Sequence, residues 1–296
     1  AVILITGSGP QNRDEEILGH KPFLIISDYL TRKGIAVLRF DDRGVGQSKG
    51  DITSATTKDL SVDVRSAFEY LKTREEVDPT RIGLLGHSEG GCIAFMLAAE
   101  YDDVSFIVSM AGGAIRGDSL LKEQRYLIGI TSGQNRETLQ ANEQLILAAM
   151  DYSKNKNQQE ISEELDAFID SSIMPLVETF LNNDGLSKGV LKREVLKILS
   201  PWMQYFMKYD PSVDIRKIKC PIFALNGNKD LQVKSSSNLS SIKSNAPHAV
   251  VKEYENLNHL FQTCNTGLPS EYGNIEETIA PQVLKDISDW INQTVK

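Results

Sequence analysis

Short apolar runs recur along the chain, and most are followed by a stretch with helical periodicity. The runs 2–6 (VILIT), 35–40 (IAVLRF), 82–86 (IGLLG), 104–110 (VSFIVSM), 221–226 (PIFALN) and 249–254 (AVVKEY) have the length of strands. Most are apolar on both faces, the pattern of a parallel sheet covered on each side by helices. Between them, residues 22–33 read as a helix that stops at Gly34, and residues 58–73 place Leu60, Val64, Ala67, Phe68 and Leu71 on one face. Residues 90–100 and 278–294 read as two further helices. This alternation predicts an α/β fold with a mostly parallel, doubly wound sheet.

One segment breaks the rhythm. Residues 116–212 hold no convincing strand, and 136–152, 158–170 and 187–199 carry helical periodicity instead. The polar stretch 154–165 (KNKNQQEISEEL) reads as a solvated loop and helix start. The expected organisation is a core built from residues 1–115 and 213–296, with residues 116–212 inserted as a helical cap.

Composition narrows the function classes. The 296 residues carry a net charge of −8 with no basic run, which disfavours nucleic acid as a partner. No stretch of 18 apolar residues exists, so no membrane-spanning helix is expected. Three cysteines, Cys92, Cys220 and Cys264, lack the spacing of a disulfide framework or a zinc site. Cys92 and Cys220 read as buried thiols. The chain opens directly on the strand-like VILIT with no signal peptide before it. That points to a missing upstream segment and leaves the compartment open, export to the periplasm included.

The candidate chemistry lies in two matches to G-x-S-x-G, one around Ser48 (GQSKG) and one around Ser88 (GHSEG). A nucleophile elbow needs a strand running in and a helix running out. Ser88 has both, from IGLLG and GGCIAFMLAAE, whereas Ser48 sits in a glycine-rich, turn-like stretch. A serine hydroxyl also needs a base. Of four histidines, His259 follows the last strand, at the carboxyl edge where such sheets bind ligands. His248 precedes that strand, His20 reads as structural, and His87 is expected to point away across the turn. Asp230 is the first carboxylate beyond strand 221–226, while Asp210 and Asp214 precede it. The chain order Ser88, Asp230, His259 is that of the α/β hydrolases. Two oxyanion donors are expected, the backbone N–H groups of Glu89 and of Ser8, with Gly9 and Gln11 as alternatives to Ser8. Tyr126, Trp202, Tyr205 and Phe206 are aromatic candidates for the pocket lining within the cap.

With TGSGPQNRDE, DDRGVGQS, GHSEGG and the Asp230 and His259 loops in place, the chain resembles the α/β-hydrolase superfamily over nearly its whole length. GSGPQNRDE, GHSEGG and PSEYGNIEET resemble bacterial serine carboxylesterases of the prolyl-oligopeptidase-like or dienelactone-hydrolase-like group. The family often has a histidine before the oxyanion-loop glycine, where this chain has Thr6. The resemblance implies an α/β-hydrolase fold and cleavage of small carboxylic esters through an acyl-enzyme on Ser88, without metal or organic cofactor. A peptidase, amidase, thioesterase or acyltransferase would use the same triad. A non-catalytic ligand-binding protein on this fold is the alternative of another class. Oligomeric state and natural ester are not encoded in any recognisable pattern.

Overall fold

The structure, a computed structural model, describes residues 1–153, 156, 158–180 and 188–295. Six strands form one sheet: β1 (Val2–Ile5), β2 (Val37–Leu38), β3 (Gly83–His87), β4 (Ile107–Met110), β5 (Ile222–Gly227) and β6 (Val250–Tyr254). All neighbours are parallel and the order is β2-β1-β3-β4-β5-β6. Each expected strand is present. The second shrinks to two residues at the sheet edge, where it pairs on one side with β1.

Alternation along the strands sorts their side chains onto two faces. Ile3, Ile5, Leu84, Ile107 and Ala224 enter one core with α2 (Thr57–Lys72) and α3 (Glu89–Glu100). Val2, Leu4, Leu85, Val108 and Phe223 enter the other with α1 (Pro22–Arg32) and, at the chain's end, α12 (Pro281–Thr294). Helix α2 starts where Thr56 and Asp59 satisfy each other's backbone N–H in a capping box. Helix α1 ends before Gly34, whose φ of +80° suits glycine.

Between β4 and β5 the described residues form helices only: α4 (Gly117–Thr131), α5 (Arg136–Ser153), α6 (Gln158–Phe168), a π-turn (Ile169–Ile173), α7 (Met174–Phe180), α8 (Lys188–Ile198), α9 (Pro201–Lys208) and the short α10 (Pro211–Ile215). This insertion has its own apolar centre, around Ile161, Leu165, Ile169, Ile173 and Val195. A smaller cluster of Leu120, Phe206 and Val233 joins it to the loop after β5. Of the polar stretch 154–165, residues 158–165 lie in α6 and Lys156 is described before it, while 154, 155, 157 and the expected helix start at 187 fall outside the described residues. Helix α11 (Ser235–Asn245) lies between β5 and β6, where the serine-rich sequence gives little apolar periodicity.

The chain goes from β1 outward to β2, then back past β1 to β3. The sheet therefore reverses direction beside β1, and the loops leaving the carboxyl ends of β1 and β3 border the crevice. The register pairs Ile5 with Gly86, bringing those two loops side by side.

Phe68 is almost wholly buried between α2 and the sheet. Phe68→Ala is expected to lower unfolding free energy by about 3–5 kcal/mol. Urea titration would read this as a lower midpoint with an unchanged slope.

Candidate active site

The turn after β3 carries the strain expected of an elbow. Ser88 has φ 53° and ψ −117°, outside the regions a serine ordinarily occupies. Glycines make the turn sterically feasible. A Cβ on Gly86 would lie 2.0 Å from the Gly90 carbonyl oxygen, and one on Gly90 would lie 2.1 Å from that of Ile5. The Ser88 N–H donates to the Met110 carbonyl at 2.9 Å, tying the turn to β4. Helix α3 begins at Glu89, so its unpaired N–H groups and positive dipole end face the turn.

Asp230 follows β5 and is 2% exposed. Its Oδ1 accepts the backbone N–H groups of Gln232 and Val233 at 2.8 and 2.9 Å. Its Oδ2 lies 2.8 Å from His259 Nδ1. This fixes the imidazole's orientation and commits Nδ1 to the carboxylate, leaving Nε2 for chemistry. His259 and Ser88 border one cavity of about 230 Å³, together with Gly7, Ser8 and Glu89. Ser48 is not among its lining residues, and its hydroxyl donates to the Asp41 carbonyl at 2.7 Å.

The loop after β1 is held by buried carboxylates. Gly7 N–H donates to Glu15 Oε1 at 2.7 Å and Gln11 N–H to Asp42 Oδ2 at 2.9 Å. The second bond removes Gln11 from the oxyanion candidates and leaves Ser8 and Gly9. Asp41 binds Arg13 through both side-chain oxygens, which holds its carboxyl well below the usual range. Burial pushes Asp42 the other way, up to about 6, despite the bonds from Gln11 and Thr6.

His87 does not point away from the site. Its ring lies 4.8 Å from that of His259, and it lines the cavity. Nδ1 is 2.9 Å from Glu15 Oε1 and Nε2 is 3.0 Å from the His259 carbonyl. A carbonyl only accepts, so Nε2 carries a proton. Burial disfavours a second proton, but the charge and hydrogen bond of Glu15 outweigh it and raise His87 above its ordinary value. With both nitrogens engaged, His87 is unavailable as a base. Through Glu15 it ties the loop after β1 to the His259 loop.

The Glu89 side chain is a feature that the sequence reading missed. It is 2% exposed, and its Oε1 accepts from Thr57 Oγ1 at 2.6 Å and from Trp202 Nε1 at 2.7 Å. Burial raises its pKa, favouring the neutral acid, against hydrogen bonds from Thr57, Trp202 and Ser8 that lower it. The visible signal was a lone acidic residue opening the otherwise apolar helix EGGCIAFMLA. Trp202 and Phe206 line the cavity as expected of pocket aromatics. Tyr126 and Tyr205 do not border it. Tyr126 is 55% exposed in a neighbouring cleft, and Tyr205 stacks on Tyr209. Cys92 and Cys264 are buried and Cys220 is half-buried, all three as free thiols. Among the described residues no cluster could hold a metal ion, and no helix is long and apolar enough to cross a membrane.

The family model described as "Serine aminopeptidase, S33" matches residues 23–263, most of the chain. The chain belongs to this family. Among curated relatives, esterase EstD of Thermotoga maritima is 33% identical over 147 residues, covering 49% of this chain and 35% of that protein. The putative hydrolase YtaP of Bacillus subtilis is 34% identical over 95 residues, covering 28% and 32%. These matches thus span about a third of either relative. Solved structures extend the likeness to the whole fold. Est1E of Butyrivibrio proteoclasticus, solved with ferulic acid bound, superposes with a TM-score of 0.56 at 15% identity, covering 99% of this chain and 88% of that one. The Pyrococcus furiosus esterase Pf2001 gives 0.53 at 16% identity, covering 100% and 82%. This S33 family member therefore has the α/β-hydrolase fold.

Asp42 yields a signed pH dependence. Its folded pKa of about 6 exceeds the ordinary value of 3.8, so between these limits the folded state holds more protons. Stability then falls as pH rises through that window and stays lowered above it. An asparagine can accept from Gln11 and donate to Thr6. Asp42→Asn is expected to stabilise the protein above pH 7 by on the order of 1–3 kcal/mol, with the gain vanishing below about pH 4. Urea titrations across pH would check this. A gain independent of pH would contradict the assignment.

Proposed function

We propose that the protein is a serine esterase that cleaves carboxylic esters through an acyl-enzyme on Ser88. The observation that carries the reading is the Asp230–His259 bond of 2.8 Å beside a serine at φ 53°, with His259 and Ser88 lining one cavity. In the proposed reaction His259 takes the Ser88 proton as the hydroxyl attacks the ester carbonyl. The N–H groups of Glu89 and Ser8 stabilise the tetrahedral oxyanion. His259 then passes the proton to the departing alcohol, and water, activated by the same imidazole, releases the acid. Apart from that water, the steps use side chains and N–H groups of this chain. The inserted helices act as a cap, contributing Trp202 and Phe206 to the cavity. The partner implied is a small-molecule ester.

The likeness to esterase EstD supports this chemistry. The family's description favours a second reading, an aminopeptidase with the same triad. The two readings differ in leaving group. Turnover of p-nitrophenyl esters well above that of aminoacyl p-nitroanilides supports the esterase, and the reverse supports the peptidase.

Ser88→Ala and His259→Ala are expected to lower kcat by about a thousandfold or more. Ser48→Ala, in a turn outside the cavity, is expected to leave kcat within about twofold, since surface substitutions rarely propagate to a site. Initial rates on p-nitrophenyl butyrate would check all three. Loss of activity in Ser48→Ala alone would overturn the assignment of the nucleophile.

A further inference from the structure

The cavity at Ser88 has a large neighbour. A cleft of about 1090 Å³ lies between α4 and α5. One residue, Gln124, borders both spaces. Along α4, Leu120 lines the cavity, Gln124 borders both spaces, and Ile128 lines the cleft. Spaced at i, i+4 and i+8, these three form one stripe, about 12 Å long at the helical rise per residue. The same handover occurs on α9, where Phe206 faces the cavity and Met207 the cleft.

The polar contact at the junction is weak. Gln124 Nε2 donates to Gln232 Oε1 at 3.4 Å, a long bond between two neutral amides that either side chain can leave at small cost. Gln232 lies two residues beyond Asp230, so the junction sits beside the triad.

The walls of the cleft indicate what enters it. Leu121, Leu139, Ile146, Leu147 and Met150 line it, and Leu147 remains 49% exposed. Its charges balance, with Lys122, Arg125 and Arg136 against Asp118, Glu123 and Glu143. Lys122 and Glu143 pair across the two helices. An uncharged apolar chain fits such walls better than an anionic ligand. Leu120 and Phe206 give the cavity an apolar wall where the stripe begins, and an apolar acyl group is the part of an ester that such a wall suits.

We propose that the acyl chain extends from Ser88 past the Gln124–Gln232 pair into the α4–α5 cleft, so that the substrates are esters of long apolar acids. The proposal rests on the esterase reading and adds the acid's class.

The test measures kcat/KM on p-nitrophenyl acetate, butyrate, octanoate, decanoate and laurate. In the native protein kcat/KM is expected to rise beyond butyrate, by up to roughly fourfold per buried methylene. Gln124→Trp, which closes the passage, is expected to lower the laurate-to-butyrate ratio at least about tenfold, the cost of losing a few such methylenes. Ile128→Trp fills the end of the stripe away from the cavity and is expected to cut the ratio for the longest chains first. A native profile that peaks at butyrate, with ratios unmoved in both variants, overturns the proposal while leaving the esterase intact. No turnover by folded protein on any ester overturns the esterase reading itself.

Discussion

The site depends on one backbone approach, that of Gly90 at the start of α3 to the carbonyl end of β1. A side chain there would collide with Ile5, and one on Gly86 would collide with Gly90. Only with hydrogen at both positions can a helix start directly against two paired strands. The turn between them must then compress, and Ser88 takes the strained φ that results. The strain is held by the Ser88–Met110 hydrogen bond and by a sheet whose central strands are buried on both faces. The G-x-S-x-G spacing is therefore a steric requirement of this crossing, and the hydroxyl's position follows from it.

Four acidic residues, Glu15, Asp41, Asp42 and Glu89, lie on the segments that support the Ser88 turn. The structure handles each differently. Glu15 is paired with His87, and Asp41 with Arg13. Asp42 and Glu89 are shifted by burial toward the neutral acid. The N–H groups at the start of α3 thus lie beside carboxyls that are paired or inclined to protonate. The same groups do mechanical work. Glu15 and His87 join the loop after β1 to the His259 loop, and Glu89 joins the turn after β3 to the inserted helices through Trp202.

Much of this was legible in the sequence because periodicity and chain order are local. Six apolar runs became six strands, with ends displaced by at most three residues. The Ser88, Asp230 and His259 candidates followed from which strand end each residue succeeds, and the structure pairs Asp230 with His259 beside Ser88. What escaped depends on contacts between distant segments. Helix α11 escaped because Leu239 and Ile242 are its only large apolar buried side chains, while Asn238 instead holds the Ala114 N–H. The bonds of His87 link it to residues 72 and 172 positions away, and no local pattern reports them. Tyr126 and Tyr205 were chosen as aromatics in a helical segment, but which helix face meets the cavity is set by tertiary packing.

The central claim is that the strained Ser88 is an activated nucleophile. Reaction of the folded protein with a fluorophosphonate, followed by intact mass and peptide mapping, tests it without any assumption about the natural substrate. A single adduct on the peptide bearing Ser88, absent from Ser88→Ala, is the predicted result. An unlabelled protein, or an adduct on a different serine, would contradict the account.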